Sequence, residues 1–123
     1  MRLLLAGATD QTFVRTAQQS FYGPLLEAGV RIMELWNSVL HAKVGVIDGE
    51  WSAIGSSNLD RRSVAWNNEV DAVLLGEEMG ATLEAAMARV ARRAVEVTLD
   101  GWRRRSAGQR LREALSWPLA DLL

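Results

Sequence analysis

Asp48-Gly49 separates two strand-like runs, Ala42–Ile47 and Glu50–Gly55. An Asp-Gly pair between such runs is the strongest short-range hairpin signal, because the favoured two-residue turns need positive φ. A loop of Asp48-Gly49 alone sets Ile47 opposite Glu50, Gly45 opposite Ser52, Lys43 opposite Ile54 and His41 opposite Ser56. Directly opposed residues share a face, with Cβ atoms ~5 Å apart. His41, Lys43 and Ser56 then converge, with Asn58 diagonal to His41. Ala42, Val44, Val46, Trp51 and Ala53 fall on the other face, as core. Gly55 leaves backbone open beside the cluster, as close approach of an anion requires.

The chemistry of that face is unusual for this composition. His41 is the only histidine and Lys43 the only lysine; every other basic residue is an arginine. Arginine presents a planar fork, whereas lysine delivers a compact ammonium suited to one phosphate oxygen. Imidazole is the side chain best suited to act as nucleophile or proton carrier near neutral pH. A lone histidine on a strand is more often a surface or structural residue; here it stands with an ammonium, a hydroxyl and an amide. Together they read as a phosphate site.

The flanking sequence reads as an alternation of strands and helices. Residues 2–6 and Val30–Trp36 are expected strands, as is 69–75. Asp10 looks like the N-cap of a helix carrying Val14, Ala17, Phe21, Leu25 and Ala28, interrupted at Gly23-Pro24 and closed by Gly29. A long helix is expected over 77–97, with Met79, Leu83, Met87, Val90, Ala94 and Val97 on its packing face. Residues 100–123 suggest a further helix or helix pair, broken at Pro118.

The bulk properties exclude several classes. At 123 residues the chain is expected to be one domain, 1–123. Its net charge of −1 gives no global attraction to nucleic acid or anionic lipid. Cysteine is absent, and with one histidine this argues against a zinc site, so no metal is expected. No apolar run approaches the ~20 residues of a membrane span. The first seven residues become polar too soon for a signal peptide.

Two carboxylates need placing. Asp48 is a catalytic candidate by its nearness to His41 and Lys43, but it occupies a turn and has the opposite parity; ordering the hairpin explains it equally well. Glu69 opens the next strand, where it can accept the second N–H of the imidazole and fix its tautomer. Asp60, Asp71 and Glu50 compete for that role on sequence grounds.

His41-x-Lys43, then Asp48, then Gly55-Ser56-x-Asn58 resembles the HKD signature of the phospholipase D superfamily. The wider stretch from Leu40 to Val44, from Ile54 to Ser63 and from Asn68 to Val70 looks most like bacterial cardiolipin synthases, as does Leu25–Ile32. The resemblance implies an α/β phospholipase D-like domain, a mixed central sheet with helices packed on it. It implies that His41 attacks phosphorus and forms a phosphohistidine, that Lys43 and Asn58 bind phosphate with Ser56 lining the pocket, and that Glu69 orients His41. Phosphatidyl transfer, making cardiolipin or a related phospholipid, is the leading expectation, without a cofactor.

Such enzymes bring two HKD motifs together, because displacement at phosphorus needs attack on one side and protonation of the leaving oxygen on the other. One histidine supplies one role. The chain resembles the C-terminal half of a two-motif enzyme with the N-terminal half absent, so a homodimer or a second HKD half is the expected partner. A phosphodiesterase or nuclease of the same superfamily is the alternative, though nucleic acid would require a continuous basic groove. An inactive truncated half is the third reading. Eight arginines against five acidic residues across 81–123, with Trp102 and Trp117, fit peripheral contact with a membrane, and equally a solvated helix face. A cytoplasmic protein, peripheral on the cell membrane, follows as the expected location.

Overall fold

The computed structural model of the chain describes residues 1–9, 12–58, 63 and 65–120, with 12, 13 and 116–120 described by their backbone. They form two compact units, residues 1–39 with 94–123, and residues 40–93.

In the first unit, β1 (Arg2–Ala6) and β2 (Arg31–Leu35) run parallel, Leu3 beside Ile32 and Leu5 beside Glu34. Parallel neighbours need a crossover, supplied by α1 (Thr12–Gln19) and α2 (Tyr22–Glu27). The break between the helices falls at Ser20-Phe21, not at Gly23-Pro24. Pro24 lies in the first turn of α2, where its missing N–H has no helical acceptor to lose. Gly29 closes the helix at φ 80, as expected. The expected N-cap Asp10 lies outside the described residues.

The core of this unit is Tyr22, Ile32 and Trp102, surrounded by Leu5, Leu25, Leu26, Val30 and Val97. The Tyr22 and Trp102 rings meet at 5.1 Å with a 42° tilt, a favourable aromatic geometry. Burying a phenol requires a partner for its hydroxyl, and Tyr22 donates to Glu34 at 3.0 Å. Glu34, itself buried, is paired with Arg15 at 3.1 Å, whose guanidinium lies 4.6 Å from the centre of the Trp36 ring. Burial first, then the charge of Glu34, pushes the Tyr22 hydroxyl well above the usual phenol range.

The helix expected over 77–97 is shorter. Helix α3 spans Glu77–Ala91, and Val95–Val97 form β6, antiparallel to β2 with Ile32 beside Val97. The Val95-Glu96-Val97 alternation suits a strand, and Arg31 fastens it by pairing with Glu96 at 2.8 Å. Helix α4 (Leu99–Arg103) is capped by the Thr98 hydroxyl, which accepts the Gly101 N–H at 3.1 Å. Helix α5 (Ala107–Ala120) continues through Pro118 rather than breaking there. Only two of its residues lie beyond the proline, so little helix depends on the lost hydrogen bond.

These packing relations take Trp102 and Arg105 out of the membrane reading of the C-terminal region. Trp102 is 7% exposed and belongs to the core. Arg105 covers its ring at 4.3 Å and pairs with Glu113 at 3.0 Å, while Arg103 pairs with Glu27. The side chain of Trp117 lies outside the described residues. No helix among the described residues is long and apolar enough to cross a membrane.

The second unit is an antiparallel sheet of β3 (Lys43–Ile47), β4 (Trp51–Gly55) and β5 (Asp71–Leu75), in that order, with α3 packed on it. The α/β expectation holds, but the strands form two three-stranded sheets, one mixed and one antiparallel, where a single mixed sheet was expected. Strand β2 is already flanked on both sides by β1 and β6, so its hydrogen-bonding edges are filled.

The hairpin register also differs. Asp48 and Gly49 take φ 53 and 71, and Glu50 N–H donates to the Ile47 carbonyl at 3.2 Å, as in a tight turn. The ladder, however, pairs Ile47 with Trp51 and Lys43 with Gly55. Glu50 is therefore an extra residue toward β3, while toward β5 its carbonyl accepts the Gly76 N–H at 2.8 Å, continuing the β4–β5 register. A one-residue slip exchanges the faces of a strand. Ser52 and Ile54 join Val44 and Val46, and Ser52 is fully buried. Trp51 and Ala53 leave the expected core face and join Lys43 and Gly45. Gly80 of α3 presses on the turn so closely that a Cβ there would run into the Gly49 carbonyl.

Candidate active site

Every residue expected at the site lies in the second unit. The ladder places Lys43 opposite Gly55, so the end of β4 delivers Ser56, Ser57 and Asn58 beside the start of β3. His41 is exposed two residues before Lys43, and the Lys43 ammonium donates to the His41 carbonyl at 2.9 Å. That contact holds the two residues in a compact bend. It also leaves the imidazole facing solvent.

Asp48 is not gathered with them. It sits in the turn just past Ile47, which itself lies roughly 13 Å along the strand from Lys43. Of its two readings, ordering the hairpin is the one its position supports.

Glu69 has different partners from the one expected. Its carboxylate accepts from the Ser56 hydroxyl at 2.6 Å, the Ser63 hydroxyl at 2.8 Å and the Asn67 amide at 3.2 Å. The His41 imidazole is not among the donors to Glu69, contrary to the expectation that Glu69 would accept its N–H. The Ser56 hydroxyl, then Ser63, and more weakly Asn67, hold the Glu69 carboxyl below the usual carboxylate range. Hydrogen bonds to the charged form explain that direction. Ser63, buried, also accepts the Asn58 N–H at 3.0 Å. Glu69 thus organises the segment bearing Ser56 and Asn58, and Asp60 lies outside the described residues.

Gly55 is open for a reason other than anion approach. A Cβ there would collide with the Asp71 carboxylate and the Val70 carbonyl. Asp71 lies opposite Gly55 and accepts from both the amide N–H of Ser57, at 3.1 Å, and its hydroxyl. The Ser57 hydroxyl, then its amide, hold the Asp71 carboxyl below the usual range. Ser56 is tied to the neighbouring residue too: its N–H donates to the Val70 carbonyl at 3.1 Å, and its hydroxyl accepts the Val70 N–H at 3.0 Å.

Ser56, Ser63 and Asn58 are tied to Glu69 at the end of the sheet where Lys43 begins β3, with His41 exposed two residues earlier. The expected convergence of His41, Lys43 and Ser56 on one sheet face does not hold, because the slipped register gives Ser56 the opposite parity from Lys43. An ammonium and a side-chain amide at that end can hold an anion such as a phosphate, while the Ser56 hydroxyl hydrogen is already given to Glu69. Sequence reasoning missed Ser57, Ser63 and Asn67. The serines carry no periodic or charge signal, and only the fold brings them to the carboxylates.

Comparison with known proteins bears on the chain's family. The profile of the family described as "Cardiolipin synthase, PLD-like domain" matches residues 1–91. Cardiolipin synthase A of Proteus mirabilis is 32% identical over 121 residues, covering 98% of this chain and 25% of that protein. The cardiolipin synthase of Listeria monocytogenes is 32% identical over 123 residues, covering 100% and 26%. Cardiolipin synthase A of Serratia proteamaculans is 35% identical over 114 residues, covering 93% and 24%. The chain spans about a quarter of the length of these relatives. No solved structure matches it.

Proposed function

The chain belongs to the cardiolipin synthase family of PLD-like domains, and from that membership we propose that it supplies one HKD half of a phosphatidyltransferase. The observation that carries this reading is the assembly of Lys43, Ser56 and Asn58 at one hairpin end beside an exposed His41. Lys43 and Asn58 bind the phosphate of a phospholipid, and Ser56 lines the site. The His41 imidazole attacks phosphorus; the P–O bond to the departing alcohol breaks, and that oxygen takes a proton from a second histidine. An acceptor hydroxyl then attacks the phosphohistidine, returns its proton to the second histidine and frees His41. Lysine, amide and backbone donors provide the positive field, so no metal ion is invoked.

The second histidine must come from another HKD half, in a homodimer or a longer assembly. The sheet face that carries Lys43 supports such pairing. Ile47, Trp51, Val73 and Leu75 share it, and Leu75 is 78% exposed. An apolar surface of this kind beside a site lacking one catalytic group suits burial against a second copy.

The test is turnover by this chain on phosphatidylglycerol vesicles and on single-stranded DNA across a range of protein concentrations. Phosphatidyl transfer that rises more steeply than the protein concentration supports the reading. Cleavage of DNA alone would move the chain to the nuclease reading. Inactivity on both at concentrations where it self-associates would leave a non-catalytic half.

A further inference from the structure

Asp71 is the residue on which the candidate phosphate segment rests. Lys43, Gly55 and Asp71 form one row across the sheet and share a face. The missing side chain of Gly55 is filled by the Asp71 carboxylate. From that position Asp71 takes both the amide N–H and the hydroxyl of Ser57, the residue between Ser56 and Asn58. A carboxylate accepting two donors from one residue fixes that residue's backbone direction as well as its side chain. Glu69 fixes Ser56 directly, and reaches Asn58 through Ser63. The segment 56–58 is thus held from both sides by Glu69 and Asp71, and Asn58 is the residue whose aim depends on both.

We propose that Asp71 is a positioning residue of this site: by clamping Ser57 in the space left by Gly55, it sets the Asn58 amide to meet a phosphate oxygen alongside Lys43. This rests on the reading of Lys43 and Asn58 as phosphate ligands. Asp71 itself touches no substrate, since a carboxylate facing a phosphate would repel it. Its charge is absorbed by the two Ser57 donors.

The test is titration of the full chain with inorganic phosphate, followed by NMR at the Asn58 side-chain amide and at Lys43, in the wild type, Asp71→Asn and Ser57→Ala. Hydrogen exchange of the Ser57 amide is read in the same samples. The expected result is phosphate binding that perturbs both ligands in the wild type and weakens about tenfold in each variant. Exchange of the Ser57 amide should quicken in Asp71→Asn. Ser57→Ala removes one hydroxyl and keeps the assay decisive if Asp71→Asn does not fold. Unchanged phosphate affinity in the folded variants would overturn the proposal, reducing Asp71 to a stabilising contact. A wild type in which phosphate leaves Asn58 and Lys43 unperturbed would overturn the phosphate-site reading, and this proposal with it.

Discussion

Ser56 donates its hydroxyl hydrogen to Glu69 across 2.6 Å, tying the end of β4 to the residue two positions before β5. With Ser57 on Asp71, two consecutive serines face two carboxylates, and Asn58, the proposed phosphate ligand, follows directly after them.

That arrangement makes the segment sensitive to acid. Glu69 and Asp71 are both held below the usual carboxylate range, with Ser56 and Ser57 the largest causes. A depressed folded pKa contributes order above the unfolded values, ~4.3 for Glu and ~3.9 for Asp, and loses it as pH falls through the folded values. Side-chain carboxyl NMR should therefore show both groups titrating below those references. Protection of the Ser57 amide, taken relative to its intrinsic exchange rate at each pH, should fall in the same acid window, with little change between pH 5 and 8.

Glycines of the same hairpin should respond oppositely to one added methyl group. Gly55→Ala drives a Cβ into the Asp71 carboxylate and the Val70 carbonyl, and should cost about 1–3 kcal/mol. Gly45, on the neighbouring strand, has nothing within 4 Å of such a Cβ. Gly45→Ala should change stability by less than about 0.5 kcal/mol. Urea unfolding of the two variants makes the comparison directly, and equal effects would contradict the packing described.

In the first unit, the ion pairs should differ in weight. Arg15 meets a buried Glu34 that also receives the Tyr22 hydroxyl. Arg15→Ala leaves that carboxylate without its cation and should cost about 3–5 kcal/mol. Arg103 and Glu27 are both 61% exposed at the side chain. Arg103→Ala should cost about 1 kcal/mol or less, and added salt should reduce that further.

The strands β1 to β5 were legible as apolar runs bounded by turn residues. Register was not, because the turn chemistry of Asp48-Gly49 leaves open whether Glu50 pairs with Ile47 or, as found, stands outside the β3 ladder and pairs with Gly76 beyond β5. Strand β6 was hidden because Ala94 and Val97 continue the helical spacing of α3; only the free edge of β2 shows why Val95–Val97 extend. Trp102 could be read as an interface residue until Tyr22 and Ile32 were seen to enclose it. Within the site, the types of residue were readable, but their pairing was not. Glu69, expected to accept from His41, is instead engaged by the Ser56 and Ser63 hydroxyls.

The central claim is that His41 is the nucleophile, and trapping its covalent intermediate tests this most directly. The chain, at concentrations where it self-associates, is incubated with phosphatidylglycerol vesicles and quenched at alkaline pH, where phosphohistidine persists, and its peptides are analysed by mass spectrometry. The account predicts a phosphatidyl adduct on the peptide bearing His41, and none in His41→Asn, which should also lose turnover. An adduct on another residue, or transfer retained by His41→Asn, would contradict it.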